Sequence, residues 1–274
     1  MGRFWSFLFL LVPILGAAVF LLSLADVGPF YQHWLPVNAN QYGSVIDNLF
    51  MFILGLTGII FIGTGLAMFW FLWKYDADRN AEPVKYSHGS HTLEVMWSIL
   101  PAAALLFIAI FQMDAWAGAK MARPLASAGA DGVEGTADDI AQPASVKVTG
   151  RQFEWRIQYA GDDEVLGTAD DVHTVNTLFL PVNEEAVISV TSMDVLHSFF
   201  LPNMRIKQDL VPGMEQLVWF KPVKTGVYDL VCAELCGWGH YKMRGRLIVG
   251  TQEEYRQWLD DLREQQNQTN LTAR

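Results

Sequence analysis

Three long stretches without Asp, Glu, Lys or Arg dominate the first part of this 274-residue chain. They cover residues 4–25, 48–73 and 95–113. A membrane-spanning helix needs about 20 mostly apolar residues, and all three stretches come near or exceed that length. The sequence therefore predicts a membrane-anchored protein. Residues 47–116 would form a transmembrane helical hairpin, and residues 1–46 an additional apolar helix and an outer loop.

The first apolar stretch has two interpretations. Arg3 followed by an apolar run and Ala25 has the layout of a signal peptide with its cleavage site. The run is long for the apolar region of a signal peptide, so we favour a retained transmembrane helix. Both interpretations stay open at this point.

Basic residues orient the hairpin, because Lys and Arg are enriched in cytoplasmic loops. In the membrane half of the chain they are limited to Arg3, Lys74, Arg79 and Lys85. The turn at 74–94 is therefore predicted to be cytoplasmic. Residues 117–274 would form an exported domain on the periplasmic side of a bacterial inner membrane.

The exported region has the pattern of an all-β barrel or sandwich. Alternating or β-branched runs occur at 145–149, 186–191, 216–220, 227–231 and 246–249, with turn residues between them. Thr251 and Glu254 form a capping box, and apolar residues follow at helical spacing: Tyr255, Trp258, Leu259 and Leu262. We expect a C-terminal helix with a frayed tail from Gln265.

Two near-copies of one acidic motif interrupt the strands. They read Asp131-Gly-Val-Glu-Gly-Thr-Ala-Asp-Asp-Ile and Asp163-Glu-Val-Leu-Gly-Thr-Ala-Asp-Asp-Val. Clustered carboxylates with glycine turns can supply oxygen ligands to Ca²⁺, although the spacing does not match an EF-hand loop. The alternative is a pair of solvated acidic turns.

The only two cysteines of the chain lie in a short run, Cys232-Ala-Glu234-Leu-Cys236-Gly-Trp-Gly-His240-Tyr-Lys-Met243, and His197 lies 35 residues before Cys232. One thiolate with two imidazoles and a thioether would suit a mononuclear blue-copper site. The second thiolate allows the two cysteines to bridge two copper ions. Each ion would then have one imidazole, with Met243 and a backbone carbonyl as weak axial ligands. Such a centre suits electron transfer.

A disulfide and a zinc site compete with copper as interpretations of this cluster. Two cysteines in an exported domain commonly form a disulfide, but residues four apart on a strand are too distant for disulfide geometry. A Cys₂His₂ zinc site is a further alternative, although Met243 and the adjacent Gly and Trp fit a closed tetrahedral site poorly. Copper accounts best for the whole set.

The chain resembles subunit II of cytochrome c oxidase over about residues 48–249. The resemblance rests on Cys232-x-Glu234-x-Cys236-Gly-x-Gly-His240-x-x-Met243, Val195-Leu-His197-Ser-Phe, Lys207-Gln-Asp209-x-Val-Pro-Gly and Leu93-Glu94-Val-Met-Trp97-Ser-Ile-Leu-Pro101. It implies a helical hairpin that carries a cupredoxin-like β-barrel with a dinuclear copper centre, called CuA. Electrons from cytochrome c would pass through it to haem in subunit I, where oxygen is reduced and protons are pumped.

The resemblance also implies ligands and partners. The side-chain copper ligands would be His197, Cys232, Cys236, His240 and Met243. Glu234 would bind copper through its carbonyl and, through its carboxylate, a magnesium ion shared with subunit I. Glu94 matches the family glutamate at the mouth of a proton path, the alternative being an isolated carboxylate at a helix end. We expect subunit I, other oxidase subunits, membrane lipid and a c-type donor as partners, and no nucleic acid.

The region where electrons arrive departs from the family pattern. In Gly150-Arg-Gln-Phe153-Glu-Trp155, Phe153 replaces the tryptophan at which the family receives electrons, and Trp155 keeps the second tryptophan. Residues 117–274 carry 22 acidic against 15 basic residues, which favours a basic donor. Docking is expected at Phe153, or shifted to Trp155, to Trp238 or to a membrane-held c-type donor.

Three other families share parts of this pattern. An Sco-type copper chaperone combines a membrane anchor with Cys-x-x-x-Cys, but its histidine lies far downstream of the cysteines, whereas His197 lies upstream. A quinol oxidase subunit II keeps the fold without the copper ligands. Nitrous oxide reductase has a similar copper centre on a soluble chain. The absence of Cys-x-x-Cys-His predicts that no haem c is attached to this chain.

Overall fold

A computed structural model describes residues 2–25, 27–30, 35–76, 86 and 88–272. The chain divides into two compact units: Met1–Pro36 with Asp47–Met113, and Val37–Ile46 with Asp114–Arg274. Arg79 and Lys85, on which the orientation of the hairpin depends, lie outside the described residues, as does the side chain of Arg3. The orientation of the hairpin therefore stays a prediction.

The membrane unit consists of long apolar helices. They are α1 (Gly2–Leu24), α2 (Gly43–Lys74) and α3 (His91–Phe111); the short α4 (Met113–Lys120) follows in sequence and belongs, except for Met113, to the other unit. Three segments of the described chain are long and apolar enough to cross a membrane: Phe4–Leu24, Gly43–Lys74 and His91–Lys120. The predicted hairpin and the additional N-terminal helix are both confirmed.

Aromatic rings and one small residue hold the helices of the membrane unit together. The ring of Phe7 in α1 lies 5.5 Å from the ring of Trp73 at the end of α2. Further along this pair, a Cβ on Gly65 would lie only 2.7 Å from Pro13 Cγ, so glycine permits the close approach. Phe52, near the start of α2, contacts Phe111 at the end of α3 at 5.5 Å. Both contacts pair opposite helix ends, so neighbouring helices are antiparallel.

The second unit is a sandwich of two five-stranded sheets. The first sheet has the order β10 (Glu215–Phe220), β7 (Ala186–Ser192), β3 (Val146–Arg151), β4 (Glu154–Tyr159) and β5 (Val172–Val175). The second has the order β6 (Thr177–Pro181), β12 (Arg244–Gly250), β11 (Gly226–Cys232), β8 (His197–Leu201) and β9 (Ile206–Leu210). Neighbours are antiparallel except β3–β7 and β6–β12. A separate pair, β1 (Leu125–Ser127) and β2 (Ile140–Ala141), precedes the sandwich. The predicted cupredoxin-like fold is confirmed.

The core lies between the two sheets. Alternate residues of β3 point inward, so Val146 and Val148 are buried, and the other strands contribute large side chains such as Trp155, Phe199 and Leu247. Each such side chain contributes about 1.5–3 kcal/mol when it is fully buried. This packing fixes the strand ends from which the site is built.

A carboxylate ties three strands of the first sheet together. Glu215 of β10 accepts hydrogen bonds from Ser189 of β7 and from Lys147 of β3. These two contacts, that of Ser189 first, hold the pKa of Glu215 below its ordinary value. The ionised carboxylate therefore stabilises the sheet.

The C-terminal helix α5 (Gln252–Thr272) begins at the predicted capping box. The Thr251 amide donates to the Glu254 carboxylate at 2.7 Å, and the Glu254 amide donates back to the Thr251 hydroxyl at 3.2 Å. The ring of Trp258 lies 5.3 Å from the rings of both Tyr159 and Phe179. The helix thereby covers one edge of the sandwich core.

The expected frayed tail from Gln265 is wrong, because α5 continues to Thr272. Arg263 forms an ion pair with Asp162 at 3.0 Å, and Gln266 accepts a hydrogen bond from the His173 amide at 3.0 Å. Both partners flank the second acidic motif. That motif therefore anchors the helix beyond the point where the apolar spacing ends.

Residues 37–46, which the sequence assigned to the outer loop of the N-terminal part, are part of the β unit. The Ala39 amide donates to the Asn203 carbonyl at 2.9 Å, and the buried Asn40 side chain donates to the Met204 carbonyl at 2.9 Å. The Val223 amide donates to the Ala39 carbonyl. This loop is a packed extension of the sandwich.

Candidate metal centre

The candidate ligands come together at one end of the sandwich. His197 is the first residue of β8, and Cys232 is the last residue of the neighbouring strand β11. Cys232 pairs with Phe199 in the antiparallel register, which brings the start of β8 close to the end of β11. Cys236, His240 and Met243 follow on the loop between β11 and β12, which we call the 233–243 loop. The sheet thus joins a distant histidine to a local loop.

Six donor atoms follow one another at short distances. The two sulfur atoms, Cys232 Sγ and Cys236 Sγ, lie 3.9 Å apart. His197 Nδ1 lies 3.9 Å from Cys232 Sγ, and His240 Nδ1 lies 3.6 Å from Cys236 Sγ. The Glu234 carbonyl oxygen is 3.2 Å from Cys232 Sγ, and Met243 Sδ is 3.8 Å from Cys236 Sγ. Each sulfur therefore has one imidazole and one weak donor beside it.

The donor set fits copper better than the alternatives. Both cysteines are free, and their separation of 3.9 Å is far longer than the roughly 2.05 Å of a disulfide bond. His197, Cys232 and Cys236 place their donor atoms within 4.8 Å of one another, and all three residues are buried. A single zinc ion would leave the buried Met243 thioether unexplained, whereas thiolate, imidazole and thioether together are typical copper ligands.

Asp194 holds the His197 ring in place. Its carboxylate accepts from His197 Nε2 at 2.8 Å, and also from the backbone amides of Gln152 at 2.8 Å and Val195 at 2.7 Å. Ring nitrogen Nδ1 is thereby left for the sulfur side of the site. The sequence interpretation missed Asp194. An acidic residue three positions before a candidate ligand histidine is the signal that would have found it.

The turn between β3 and β4 forms hydrogen bonds with two segments of the site. The Gln152 side chain donates a hydrogen bond to the Cys236 carbonyl at 2.5 Å, while its backbone amide bonds to Asp194. Gln152 therefore connects the 233–243 loop with the segment before His197. Nothing in the local spacing of the sequence marks this residue, because its two partners lie 42 and 84 positions away.

Electrostatics favour one ionised thiol in the copper-free chain. Burial acts to raise the pKa of Cys232, but hydrogen bonds, led by that with His197, outweigh burial and lower it. Burial and the neighbouring charge of Cys232 raise the pKa of Cys236. Burial acts to lower the pKa of His197, and the contacts with Cys232 and Asp194 outweigh it and raise it. Of the two thiols, Cys232 is therefore the one that ionises more readily, and thiolate is the form that binds a metal.

Three glycines are required by the packing of the site. A Cβ on Gly150 would lie 3.0 Å from the ring of His197. A Cβ on Gly239 would lie 2.5 Å from the ring of Phe153, and Gly237 has a φ of 129°, which other residues rarely adopt. Ligand ring and aromatic ring therefore lie directly against the backbone.

The aromatic residues of the donor region occupy different depths. Trp155 is fully buried, with its ring 6.4 Å from that of His197. Phe153 is partly buried and lies 5.5 Å from the ring of Trp238, which is 81% exposed. Trp155 therefore has no surface to offer a donor, whereas Trp238 does.

Glu94 lies in the membrane unit, in the first turn of α3, and its side chain is exposed. Its amide donates to the Ser90 carbonyl, and its carbonyl accepts from the Ser98 hydroxyl. These are ordinary contacts of a helix start. The role of Glu94 in proton transfer stays a prediction.

Both acidic motifs fold in the same way. Asp138 accepts from the Ala130 amide at 2.7 Å, and Asp170 accepts from the Asp162 amide at 2.7 Å. In each motif the threonine hydroxyl also donates to this aspartate, and that contact is the first cause of its lowered pKa. These carboxylates stabilise their own turns. The contacts do not require an ion, and calcium stays a prediction.

Comparisons with known proteins agree with this architecture. A family model described as cytochrome c oxidase subunit II, periplasmic domain, matches residues 144–249, and the transmembrane-domain model of the same subunit matches residues 30–114. The alternative cytochrome c oxidase subunit 2 of Bradyrhizobium diazoefficiens is 27% identical over 273 residues, covering 89% of this chain and 91% of the relative. Cytochrome c oxidase subunit 2 of Cereibacter sphaeroides is 28% identical over 256 residues, covering 82% and 78%.

The solved periplasmic domain of subunit II of cytochrome oxidase from Bradyrhizobium japonicum is 28% identical. The match covers 45% of this chain and 97% of the solved domain, with a TM-score of 0.40. The two family models follow one another along the chain, one on the helical hairpin and one on the β-sandwich that gathers the sulfur and imidazole donors. The chain belongs to the cytochrome c oxidase subunit II family.

Proposed function

We propose that this chain is the electron-accepting subunit of a respiratory haem–copper oxidase. Its β-sandwich holds two copper ions, receives electrons from a c-type cytochrome and passes them to haem in subunit I, where oxygen is reduced to water and protons are translocated. The observation that carries the proposal is the run of six donor atoms, each 3.2–3.9 Å from the next, around two buried sulfur atoms.

The donor atoms divide naturally between two ions. His197 and the Glu234 carbonyl lie beside Cys232 Sγ, and His240 and Met243 lie beside Cys236 Sγ. Two copper ions held by these residues would supply a one-electron carrier that changes shape little on reduction. The chain contributes rigidity, because most of its ligands are buried and the His197 ring is fixed by Asp194.

Two further metal roles are part of the proposal. The Glu234 carbonyl faces Cys232, so its carboxylate is left for a hard cation such as Mg²⁺ shared with subunit I. Glu234→Gln should therefore lower the magnesium content of the purified oxidase and leave its copper content unchanged. Equal magnesium content in the variant would exclude this role. Calcium at the acidic motifs is testable by titrating the full-length chain with Ca²⁺.

The proposed location is a bacterial inner membrane, with the β-sandwich in the periplasm. The apolar helices and the match to a transmembrane family model support the membrane anchor. A cysteine-reactive reagent that does not cross membranes would test the side: Lys224→Cys in a Cys232→Ser/Cys236→Ser background should react in intact cells whose outer membrane is permeable, and the background variant alone should not. Protection of that cysteine until lysis would contradict the orientation.

The central test uses the full-length chain, purified in detergent and loaded with copper. We expect two copper ions per chain and an EPR signal of one unpaired electron shared by two ions. Cys232→Ser and Cys236→Ser should each abolish that signal, because each thiolate bridges both ions. Met243→Leu should shift the potential and keep most of the centre, since an axial thioether is a weak ligand. Met204→Leu, a buried methionine away from the site, is the matched control.

A mononuclear copper spectrum from the wild type, or a normal signal from either serine variant, would refute the bridging role.

Glu94 is tested separately in the oxidase. Glu94→Ala should slow proton-coupled reduction of the oxygen site and leave reduction of the copper centre unchanged. Asp114→Ala, at the other end of the span His91–Lys120, is its control. Turnover of Glu94→Ala that equals the wild type across pH would make Glu94 an ordinary solvated carboxylate.

A further inference from the structure

The 233–243 loop exposes three large side chains that the copper ligands do not use. Leu235, Trp238 and Tyr241 are 76%, 81% and 69% exposed. They alternate in sequence with residues that face the sulfur atoms. Exposed apolar and aromatic side chains grouped beside a functional site mark contact surfaces, and tryptophan is the residue most enriched where binding energy concentrates.

Trp238 is the more exposed of the two aromatic residues on the 233–243 loop. One glycine separates it from Cys236, and another glycine separates it from His240. Its ring meets the Phe153 ring edge-on, with centroids 5.5 Å apart, and Phe153 lies directly on Gly239. A partner that contacts Trp238 is therefore separated from the ligands Cys236 and His240 by a single glycine on each side. Trp155, by contrast, is fully buried.

A cation lies against the same ring. Lys242 Nζ is 5.9 Å from the ring centroid of Trp238 and 5.4 Å from that of Tyr241. Residues 117–274 have a net charge of −7, but the contact point itself carries a positive charge. A donor with lysines around its haem edge would be repelled at this point, whereas a carboxylate beside the haem edge would pair with Lys242.

We propose that Trp238 is the docking residue for the electron donor, and that the donor is a c-type cytochrome with an exposed haem edge and a carboxylate next to it. This inference rests on the proposed function of the copper centre. In the contact, the donor haem iron is oxidised from Fe(II) to Fe(III) and one electron passes to the copper pair. No bond forms or breaks, and no proton moves.

The test uses the purified oxidase that contains the full-length chain. Reduction of the copper centre is followed by stopped-flow, at low salt, with two probes: an acidic bacterial cytochrome c and a basic mitochondrial cytochrome c. Trp238→Ala should lower the second-order rate constant with the acidic probe at least tenfold, and Trp238→Phe should retain at least a third of it. Lys242→Glu should lower the rate with the acidic probe and raise it with the basic probe.

Lys224→Glu is the matched charge reversal. Lys224 is exposed and precedes the start of β11, about 20 Å from Cys232 at the strand's other end. Lys224→Glu should change the rate constants with the acidic and the basic cytochrome less than twofold. Trp238→Ala within twofold of wild type, or Lys242→Glu acting no differently from Lys224→Glu, would overturn the proposal.

A second measurement separates docking from the copper centre itself. Binding of the oxidised acidic cytochrome to the copper-free full-length chain is measured by calorimetry, where Trp238→Ala should raise the Kd at least tenfold. An unchanged Kd, or no binding to the wild type, would overturn the docking site. Loss of the two-copper spectrum in the wild type would instead refute the proposed function, and the copper-free titration would still decide the docking site.

Discussion

The contact between Gly239 and Phe153 yields the most direct test of the site's packing. A methyl group at position 239 would lie 2.5 Å from Phe153 Cδ2 and 2.7 Å from Cγ, closer than carbon atoms approach. The backbone of Gly239 has φ −92° and ψ 6°, which alanine tolerates. Gly239→Ala therefore introduces a clash with one ring and little backbone strain.

The expected cost follows from this geometry. Forcing an additional methyl group against a packed ring costs about 1–3 kcal/mol, because Phe153 must move off Gly239 or the loop must shift. Removal of the ring takes the clash away. The double variant Gly239→Ala/Phe153→Ala should therefore be no less stable than Phe153→Ala alone, with a coupling energy of about 1–2 kcal/mol.

Gly237 provides the contrast. Its φ of 129° disfavours any side chain, and a Cβ there would also lie 2.8 Å from the side-chain nitrogen Nε2 of Gln152. Gly237→Ala should destabilise the site, and Phe153→Ala should leave most of that loss in place, because it removes the ring atoms 3.2 Å away and not the backbone strain. Urea unfolding of the copper-free chain, followed by tryptophan fluorescence, and copper content after loading are the two assays. A Gly239→Ala variant as stable as wild type, or one that Phe153→Ala does not rescue, would refute the predicted clash.

Three further predictions concern one residue beside the site and two elsewhere in the β-sandwich unit. Asp194→Asn should weaken copper binding about 10- to 100-fold in a competition titration, because His197 loses its orienting carboxylate; an unchanged affinity would show that the ring is fixed by packing alone. Glu215→Gln should lower the free energy of unfolding by at most about 1 kcal/mol at pH 7, since the carboxylate is exposed. Because the pKa of Glu215 is lowered in the folded state, this loss should vanish as pH falls from 4.5 through the folded pKa. A loss of stability that persists in acid would contradict its assignment to charge. Trp258→Ala should cost about 2–3 kcal/mol in urea unfolding, because its partly buried ring packs on Tyr159; a cost below about 1 kcal/mol would show that α5 contributes little to the core.

The fold was predictable from the sequence wherever one local pattern determined it. All five runs predicted as strands lie within or overlap observed strands, because their alternation reports a buried and a less buried face directly, as in β3. The apolar helices were equally clear. The predicted runs left out the other five strands of the sandwich: β4, β5, β6, β8 and β9. Among these, β5 is short and lies just after an acidic motif, where turn residues dominate the local pattern.

Features that depend on distant pairing could not be predicted. Gln152 forms hydrogen bonds with Asp194 and Cys236, which lie 42 and 84 positions after it, and no spacing rule connects these residues. The packing of Ala39 on Asn203 crosses an even longer separation. The extension of α5 to Thr272 has the same origin, since Arg263 pairs with Asp162, which directly precedes the second acidic motif. In each case the tertiary fold supplies a partner that the local sequence does not indicate.

The 233–243 loop links the interior of the site to its surface through one backbone conformation. Cys236 and His240 face the sulfur cluster while Trp238, between them, faces solvent. The glycines on either side of Trp238 permit this, one through its positive φ and one through its contact with Phe153. A side chain at either glycine would move a ligand and the exposed indole together. A change in the loop backbone would therefore alter ligand geometry and donor contact together. Substitution of Trp238, Tyr241 or Lys242, whose side chains are all exposed, would alter the donor contact alone.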